Sequence, residues 1–370
     1  MGTIDRFIRN ANHKRINFFR TLKVKAFLLL FNKKNQMTAN FRHNSVLILR
    51  LDGKLGDSIS ISGFLKELEQ SGYEVTIICR QQQSFVYDFI PVHFKIIKVD
   101  HFFEVILTLI KLQFRKPFMW LICTSHILDL ASLILSRFVK ASHKIAFQNL
   151  NLNFFDHHVN ENFDHIHITS RFESNLKIMG IQNRKYFNQY FLHYDTNDIN
   201  KAIQQISDMG LQSRKYIVIN SFAGSRDRNM SFALTQKIVQ RLNEILPEYL
   251  VVSMASQSDQ ATLDEWKKNN TNKKWMFSSF SDFATNSILL RESRLVITPD
   301  TAIVHLASAM NCTVVGLYRV AGEIAEYPDV WAPLLPLNQF KIVYAFNGQL
   351  EKISVEQVAS SALELVTNQI

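Results

Sequence analysis

Four groups of residues in the chain have the type and spacing to do chemistry. The first is Asp57, in the polar stretch Leu51–Ser60 (LDGKLGDSIS), with Lys54 and Gly56 just before it. The loop that holds it places backbone N–H groups and a helix N-terminus at the carboxyl end of a parallel strand, the usual location of an anionic ligand, so an acid there is conspicuous. It can equally be a first-turn acid that complements a helix dipole, and local spacing leaves both readings open. The second group is Ser225, Arg226 and Arg228 in the loop Ser221–Ser231 (SFAGSRDRNMS), where guanidinium groups and backbone N–H groups converge on a helix start and can hold an anion. A solvated charged loop is the plainer alternative. The third group is Asp300, Thr301 and Ala302, at a strand-to-helix junction suited to a phosphate, with His305 about one turn further on. A lone histidine at such a place is more often structural. The fourth is the loop Ala255–Gln260, where Gln257 or Asp259 can face a ligand.

Other candidates are weaker. His157, His158, His165 and His167 offer only a His-x-His pairing with no carboxylate–histidine helix, so no metal site is predicted. Cys79, Cys123 and Cys312 are isolated in or beside apolar runs and read as reduced core residues of a cytosolic protein.

Each of the four groups follows a short apolar run, and these runs alternate with helical patterns. Val46–Leu49 precedes the first loop, and a helix is expected from Ile59 through Leu68. Strands are predicted at Glu74–Cys79, Ile96–Val99 and Phe118–Cys123, with Lys144–Phe147 as a closing edge strand. Helices are predicted at Phe102–Phe114, Ile127–Val139 and Ser170–Ile181, the last stopped by Gly180. The Asn- and His-rich stretch Asn149–His167 reads as a crossover loop, and residues 182–214 as the linker. Beyond it come strands at Tyr216–Asn220, Leu250–Met254, Leu295–Thr298 and Val314–Leu317, with helices at Phe232–Leu246 and Ile303–Ala309. Such alternation implies parallel, doubly wound sheets. The nearly continuous apolar stretch Phe102–Phe118 is expected to be buried under the first sheet; an exposed remainder would instead touch lipid or a lipid-like acceptor.

At 370 residues, with 47% hydrophobic and 20% charged residues, the chain is globular and long enough for about two domains. Its apolar runs fall short of a membrane span. The net charge of +10 is concentrated at the start, where residues 1–40 carry nine bases and a single acid, Asp5. Aromatic and aliphatic residues in helical spacing accompany those bases. Such a segment can lie on an anionic membrane surface or fold back on the body of the protein. With no companion motif, a basic arm does not argue for nucleic acid. No strand is followed by G-x-G-x-x-G or G-x-x-x-x-G-K-[ST], which argues against a dinucleotide-dependent oxidoreductase and a P-loop enzyme.

Three separated pieces together resemble the heptosyltransferase family, glycosyltransferase family 9. They are LGDSI within Leu51–Ser60, the helix Ser170–Ile181, and Val296–Tyr318 (VITPDTAIVHLASAMNCTVVGLY), which carries a D-[ST]-[GA]-x-x-H pattern. The likeness covers most of residues 45–320. It implies an α/β protein of GT-B architecture, two facing Rossmann-like domains with parallel sheets: a basic amphipathic segment over 1–42, an acceptor domain over 43–190 and a nucleotide-sugar domain over 191–370.

The resemblance also implies roles. Asp57 is then the general base of an inverting transfer, with Lys54 and Gly56 in the acceptor loop. Arg226, Arg228, Asp300, Thr301, Ala302 and His305 hold the donor diphosphate, and Ser225 and Asp259 other parts of the donor. No metal or cofactor is implied. The partners are a nucleotide-sugar, a lipid-linked oligosaccharide acceptor such as lipopolysaccharide or lipooligosaccharide core, and the inner-membrane surface, with the protein cytoplasmic and peripheral and the sugar transferred a hexose or a heptose. Three departures stand out. Arg226-Asp227-Arg228-Asn229 replaces the usual lysine; Asp52 and Lys54 stand where hydroxyl residues are common; and no obvious ribose-binding carboxylate follows Leu250–Met254. Two rival readings share the scaffold: a GT-B sugar-nucleotide epimerase, and a non-catalytic carbohydrate- or membrane-binding protein on a decayed enzyme.

Overall fold

The computed structural model describes residues 22–34, 40–124, 129–147, 152–159, 166–225, 228–320, 328–346 and 348–368. Arg226, His165 and most of the basic start, residues 1–21 and 35–39, lie outside these.

A helix over residues 22–31 (α1) comes first. The first sheet then takes β1 (Arg42–Arg50), β2 (Glu74–Cys79), β3 (Phe94–Lys98), β4 (Phe118–Cys123), β5 (Ala141–Ala146) and β6 (His157–His158), all parallel, in the order β3-β2-β1-β4-β5-β6. Val46–Leu49 and Leu121–Ile122 are wholly buried, as expected for strands covered on both faces. Helices α2 (Leu55–Ser60), α3 (Ser62–Gln70), α4 (Gln81–Ser84), α5 (Phe102–Gln113), α6 (Leu130–Phe138) and α7 (Ile168–Ile178) complete this half.

The second sheet repeats the same winding. Its strands are β7 (Tyr216–Asn220), β8 (Leu250–Met254), β9 (Trp275–Phe277), β10 (Leu295–Pro299), β11 (Val314–Val320) and β12 (Phe340–Phe346), in the order β12-β11-β10-β7-β8-β9. Its helices are α8 (Thr196–Asp208), α9 (Phe232–Ile245), α10 (Gln260–Asn269), α11 (Phe283–Glu292), α12 (Ala302–Ala309), α13 (Pro328–Trp331) and α14 (Val355–Thr367). In each sheet the strand order reverses beside the first strand, between β1 and β4 and between β7 and β10. A crevice at the carboxyl ends of the strands opens at such a point.

The halves interlock through apolar side chains. Ile59 and Val86 of the first half share a buried cluster with Tyr190, Tyr194 and Leu306. Phe89 lies 5.1 Å from both Tyr194 and Phe283, ring centre to ring centre. Val330 of α13 reaches back into the first half's core.

Four expectations are corrected. The helix expected over Ile59–Leu68 is two helices, since α2 already begins at Leu55 and the chain turns at Ile61 before α3. Lys144–Phe147 is not an edge strand, because β6 pairs outside β5; this two-residue strand hides in a polar stretch and is anchored where the Asp156 carboxylate accepts the Lys144 N–H (2.8 Å). Residues 182–214 are more than a linker: α8 lies within them, with Ile199, Ala202, Ile203 and Ile206 in helical spacing, and it buries Ala202 and Ile206. Helix α5 buries only Val105, Thr108 and Leu112, leaving Phe102, Phe103, Leu107, Ile110 and Phe114 exposed.

Candidate active site

The site is assembled at the two points where strand order reverses. On the first sheet, β1 ends in Arg50, a side chain with no exposed surface. Its Nη1 donates to the Thr124 hydroxyl (3.1 Å) and carbonyl (3.2 Å) just beyond β4, which ties the reversal point together. Gln83 Nε2 donates to the Arg50 carbonyl (2.9 Å). Arg50 Nη2 stands 3.4 Å from Asp52 Oδ2 and 3.4 Å from Asp57 Oδ2, so one guanidinium serves two carboxylates. Burial works against the Arg50 charge, yet Asp52 and Asp57 more than offset it and hold its pKa above the ordinary value. Asp52 is pushed up by burial, with Arg50 pulling the other way.

Asp57 sits in the first turn of α2, where the helix dipole favours an acid, and is 4% exposed. Its two oxygens differ. Oδ2 is buried against Arg50 without a hydrogen bond, whereas Oδ1 retains contact with solvent. A base needs such an arrangement: one oxygen held, one able to meet a proton. Lys54, the residue before α2, is exposed, and its carbonyl accepts from the Ser58 N–H (3.2 Å).

Gly56 brings the halves together. A Cβ placed on it would lie 2.6 Å from His305 Cδ2 and 3.1 Å from Ala302 Cα, so α2 and the start of α12 touch only because this residue has no side chain. His305 is itself buried, its Nδ1 3.3 Å from the Tyr190 hydroxyl and its ring edge-on to Tyr190 and Trp331. Burial, helped by His167 and Arg50, pulls its pKa down to about 3. The imidazole is therefore neutral near pH 7 and offers a phosphate no positive charge. His167 is pulled down by burial to about 4; its Nδ1 accepts the Thr169 N–H (3.3 Å) and its Nε2 donates to the Ala332 carbonyl (3.3 Å).

On the second sheet, the Asn220 amide at the end of β7 donates to the Thr298 hydroxyl (3.0 Å) and the Thr301 hydroxyl (3.5 Å) across to β10. Thr301 caps α12, accepting the Ile303 N–H (3.2 Å). The Asp300 N–H is spent on the Leu317 carbonyl (3.1 Å). That leaves the N–H groups of Thr301 and Ala302 without a hydrogen-bond partner among the described residues, at the positive end of an eight-residue helix. Arg228 lies beside them, its Nη1 3.1 Å from the Asp300 carbonyl and 3.5 Å from Asp300 Oδ2, its Nε donating to Ser225 Oγ (3.0 Å). Asp300 thus orients a cation here and offers no N–H of its own. Asp259, just beyond β8, accepts from the Ser256 hydroxyl (2.6 Å) within its own loop.

Asp57, Gly56, Ala302 and His305 thus form one contiguous group, and Ser225, Arg228 and Asp300 another beside α12. Sequence reasoning missed Arg50, Thr124, Tyr190 and Asn220. A charged residue closing the apolar run VLIL was a signal for Arg50; Tyr190 had none.

The chain and the fold that carries this site have counterparts among known proteins. Residues 129–334, more than half of the chain, match the family described as Glycosyltransferase family 9 (heptosyltransferase). The chain belongs to glycosyltransferase family 9. Its membership makes it a glycosyltransferase. It is 26% identical over 336 residues to the "Putative lipopolysaccharide heptosyltransferase 4" of Escherichia coli (strain K12), covering 87% of this chain and 88% of that one. Solved structures share the family's GT-B fold. A family 9 glycosyl transferase from Veillonella parvula DSM 2008 superposes with a TM-score of 0.71 at 14% identity, over 89% of this chain and 98% of that one. The ADP-heptose lipopolysaccharide heptosyltransferase II of Escherichia coli does so with a TM-score of 0.66 at 14% identity, over 88% and 99%.

Proposed function

We propose that this family 9 enzyme moves a sugar from a nucleotide-sugar to a hydroxyl of a lipid-linked oligosaccharide of the lipopolysaccharide core, with inversion and with Asp57 as general base. The observation that carries the reading is the Asp57 carboxylate, one oxygen turned to Arg50 and the other open, packed through Gly56 against the start of α12 with its two unpaired N–H groups. The acceptor oxygen bonds to the anomeric carbon as its proton passes to Asp57 Oδ1. The bond from that carbon to the diphosphate oxygen breaks, and negative charge grows on the leaving group. The Thr301 and Ala302 N–H groups and the Arg228 guanidinium receive that charge, the last oriented by Asp300 and Ser225. His305, neutral and wedged between Tyr190 and Trp331, fixes the junction through which the base and the diphosphate site meet.

ADP-heptose is the donor this reading favours, because the family is described as heptosyltransferase and one named relative is an ADP-heptose lipopolysaccharide heptosyltransferase. Contact with the cytoplasmic face of a membrane follows from a lipid-linked acceptor. No helix among the described residues is long and apolar enough to cross a membrane. The test is release of nucleoside diphosphate from ADP-heptose and other nucleotide-sugars, with and without truncated lipopolysaccharide. Release that needs the acceptor supports transfer. Conversion of donor alone would point to an epimerase, and binding without any release to a non-catalytic protein.

A further inference from the structure

The outer face of α5 is apolar, and nothing in the catalytic account uses it. Phe103, Leu107, Ile110 and Phe114 recur at intervals of four, three and four residues, one stripe of about 16 Å along the helix axis. They are exposed, Phe103 by 69% and Phe114 by 87%, directly opposite the stripe of Val105 and Leu112 that the helix buries in the core. Helix α1 lies in the same layer. Phe27 is buried in the same core cluster as Val105 and Leu112, and the α1 and α5 helices flank the end of α6. There Phe31 packs on Phe138 (5.3 Å between ring centres), while Gln113 Nε2 donates to the Phe138 carbonyl (2.8 Å). Opposite its buried side, α1 exposes Leu22 and Leu29 (88%), with Leu30 exposed beside them.

The rim of this surface is basic. Lys23, Lys25, Lys33 and Lys34 are exposed on and just after α1, and Lys111, Arg115 and Lys116 at the end of α5. The acids near it are engaged: Glu104 accepts from the Asp100 and His101 N–H groups, and Asp100 accepts from the Gln81 N–H. An exposed apolar patch of this kind marks an interaction site. Apolar stripes ringed by lysine and arginine match the two layers of an anionic bilayer surface, acyl chains beneath phosphate head groups.

We infer that the shared outer face of α1 and α5 is a membrane-docking surface for anionic lipid, with Phe103 and Phe114 inserted among the acyl chains and the lysines at the head groups. It extends the lipid-linked acceptor reading above and rests on it for its purpose: the half carrying Asp57 is the half held to the membrane.

The test is flotation of the full-length protein with phosphatidylcholine vesicles with and without phosphatidylglycerol, comparing wild type with the double variant Phe103→Ser, Phe114→Ser. Both residues are so exposed that the variant should fold normally, which thermal unfolding checks. Expected are wild-type binding that requires phosphatidylglycerol and weakens with salt, and a loss of at least about tenfold in the variant. Turnover of a delipidated, water-soluble acceptor should be unchanged. Absence of wild-type binding, equal binding by the variant, or a wild-type dimer that the variant dissolves would each overturn the inference, the last by showing a second copy on this face. Failure of every donor in the transfer assay would strike the function reading instead and leave the vesicle result standing.

Discussion

Arg50 has no surface, and two carboxylates lean on its single charge. Replacing it with methionine keeps the bulk and removes the charge, leaving Asp52 and Asp57 together in a buried place. Breaking a buried ionic group in this way costs about 3–5 kcal/mol. Urea unfolding of Arg50→Met should show a loss of that order; an unchanged midpoint would mean that the carboxylates relax into water without it. Most of the residues that the sequence offered as candidates share one trait: they lie in the polar stretch just past an apolar run, where a parallel sheet delivers its loops. Arg50 closes such a run, and only the pairing of β1 with β4 shows that Thr124 meets it. His305 was legible as a motif position, but not as a neutral one, because its burial comes from Tyr190 and Trp331, far away in the chain. The Asp300 N–H was equally beyond reach, since its partner Leu317 belongs to the neighbouring strand.

At the scale of elements, the decisive contact is α2 against α12. Gly56→Ala puts a methyl into the His305 ring and close to the Ala302 backbone, neither of which is a loose end. Overpacking of this kind typically costs about 1–3 kcal/mol, here relieved by moving α2 off α12. The variant should therefore lose far more transfer activity than stability. Wild-type turnover in Gly56→Ala would show that the two helices need not touch. The strands were the most legible elements, since short apolar runs bounded by polar loops leave few alternatives; Tyr216–Asn220 and Leu250–Met254 fall where the sequence puts them. Helix α5 misled for a physical reason: apolar residues around the whole helix look like burial, whereas here one stripe faces the core and the other faces out.

For the whole molecule, the parallel, doubly wound form of the two sheets follows from the alternation of strands and helices, while their shared strand order and the way they face each other rest on contacts between distant segments. One such seam is titratable. His167 at the start of α7 donates to Ala332 of the second half, and His305 lies nearby, both neutral in the folded chain with pKa values pulled down to about 4 and about 3. Unfolding frees each to take a proton near its ordinary value of about 6.5. The unfolded state therefore binds more protons below that pH. Stability is full above about 6.5 and falls as the pH drops toward 4, by up to about 1.4 kcal/mol per unit for each histidine. Denaturant unfolding at pH 5 and pH 7.5 should differ by several kcal/mol, and His305→Asn should flatten the slope by one histidine's share. An equal slope in that variant would mean that His305 is already protonated in the fold.

The central claim is that one carboxylate on the first half takes the acceptor's proton while the second half holds the donor. It is tested most directly by Asp57→Asn, measuring both acceptor-dependent release of nucleoside diphosphate from the donor and the affinity for the nucleoside diphosphate itself. The account predicts turnover reduced by at least about a hundredfold, as expected for loss of a general base, with nucleotide affinity within about twofold of wild type. Near-wild-type turnover in that variant would contradict it.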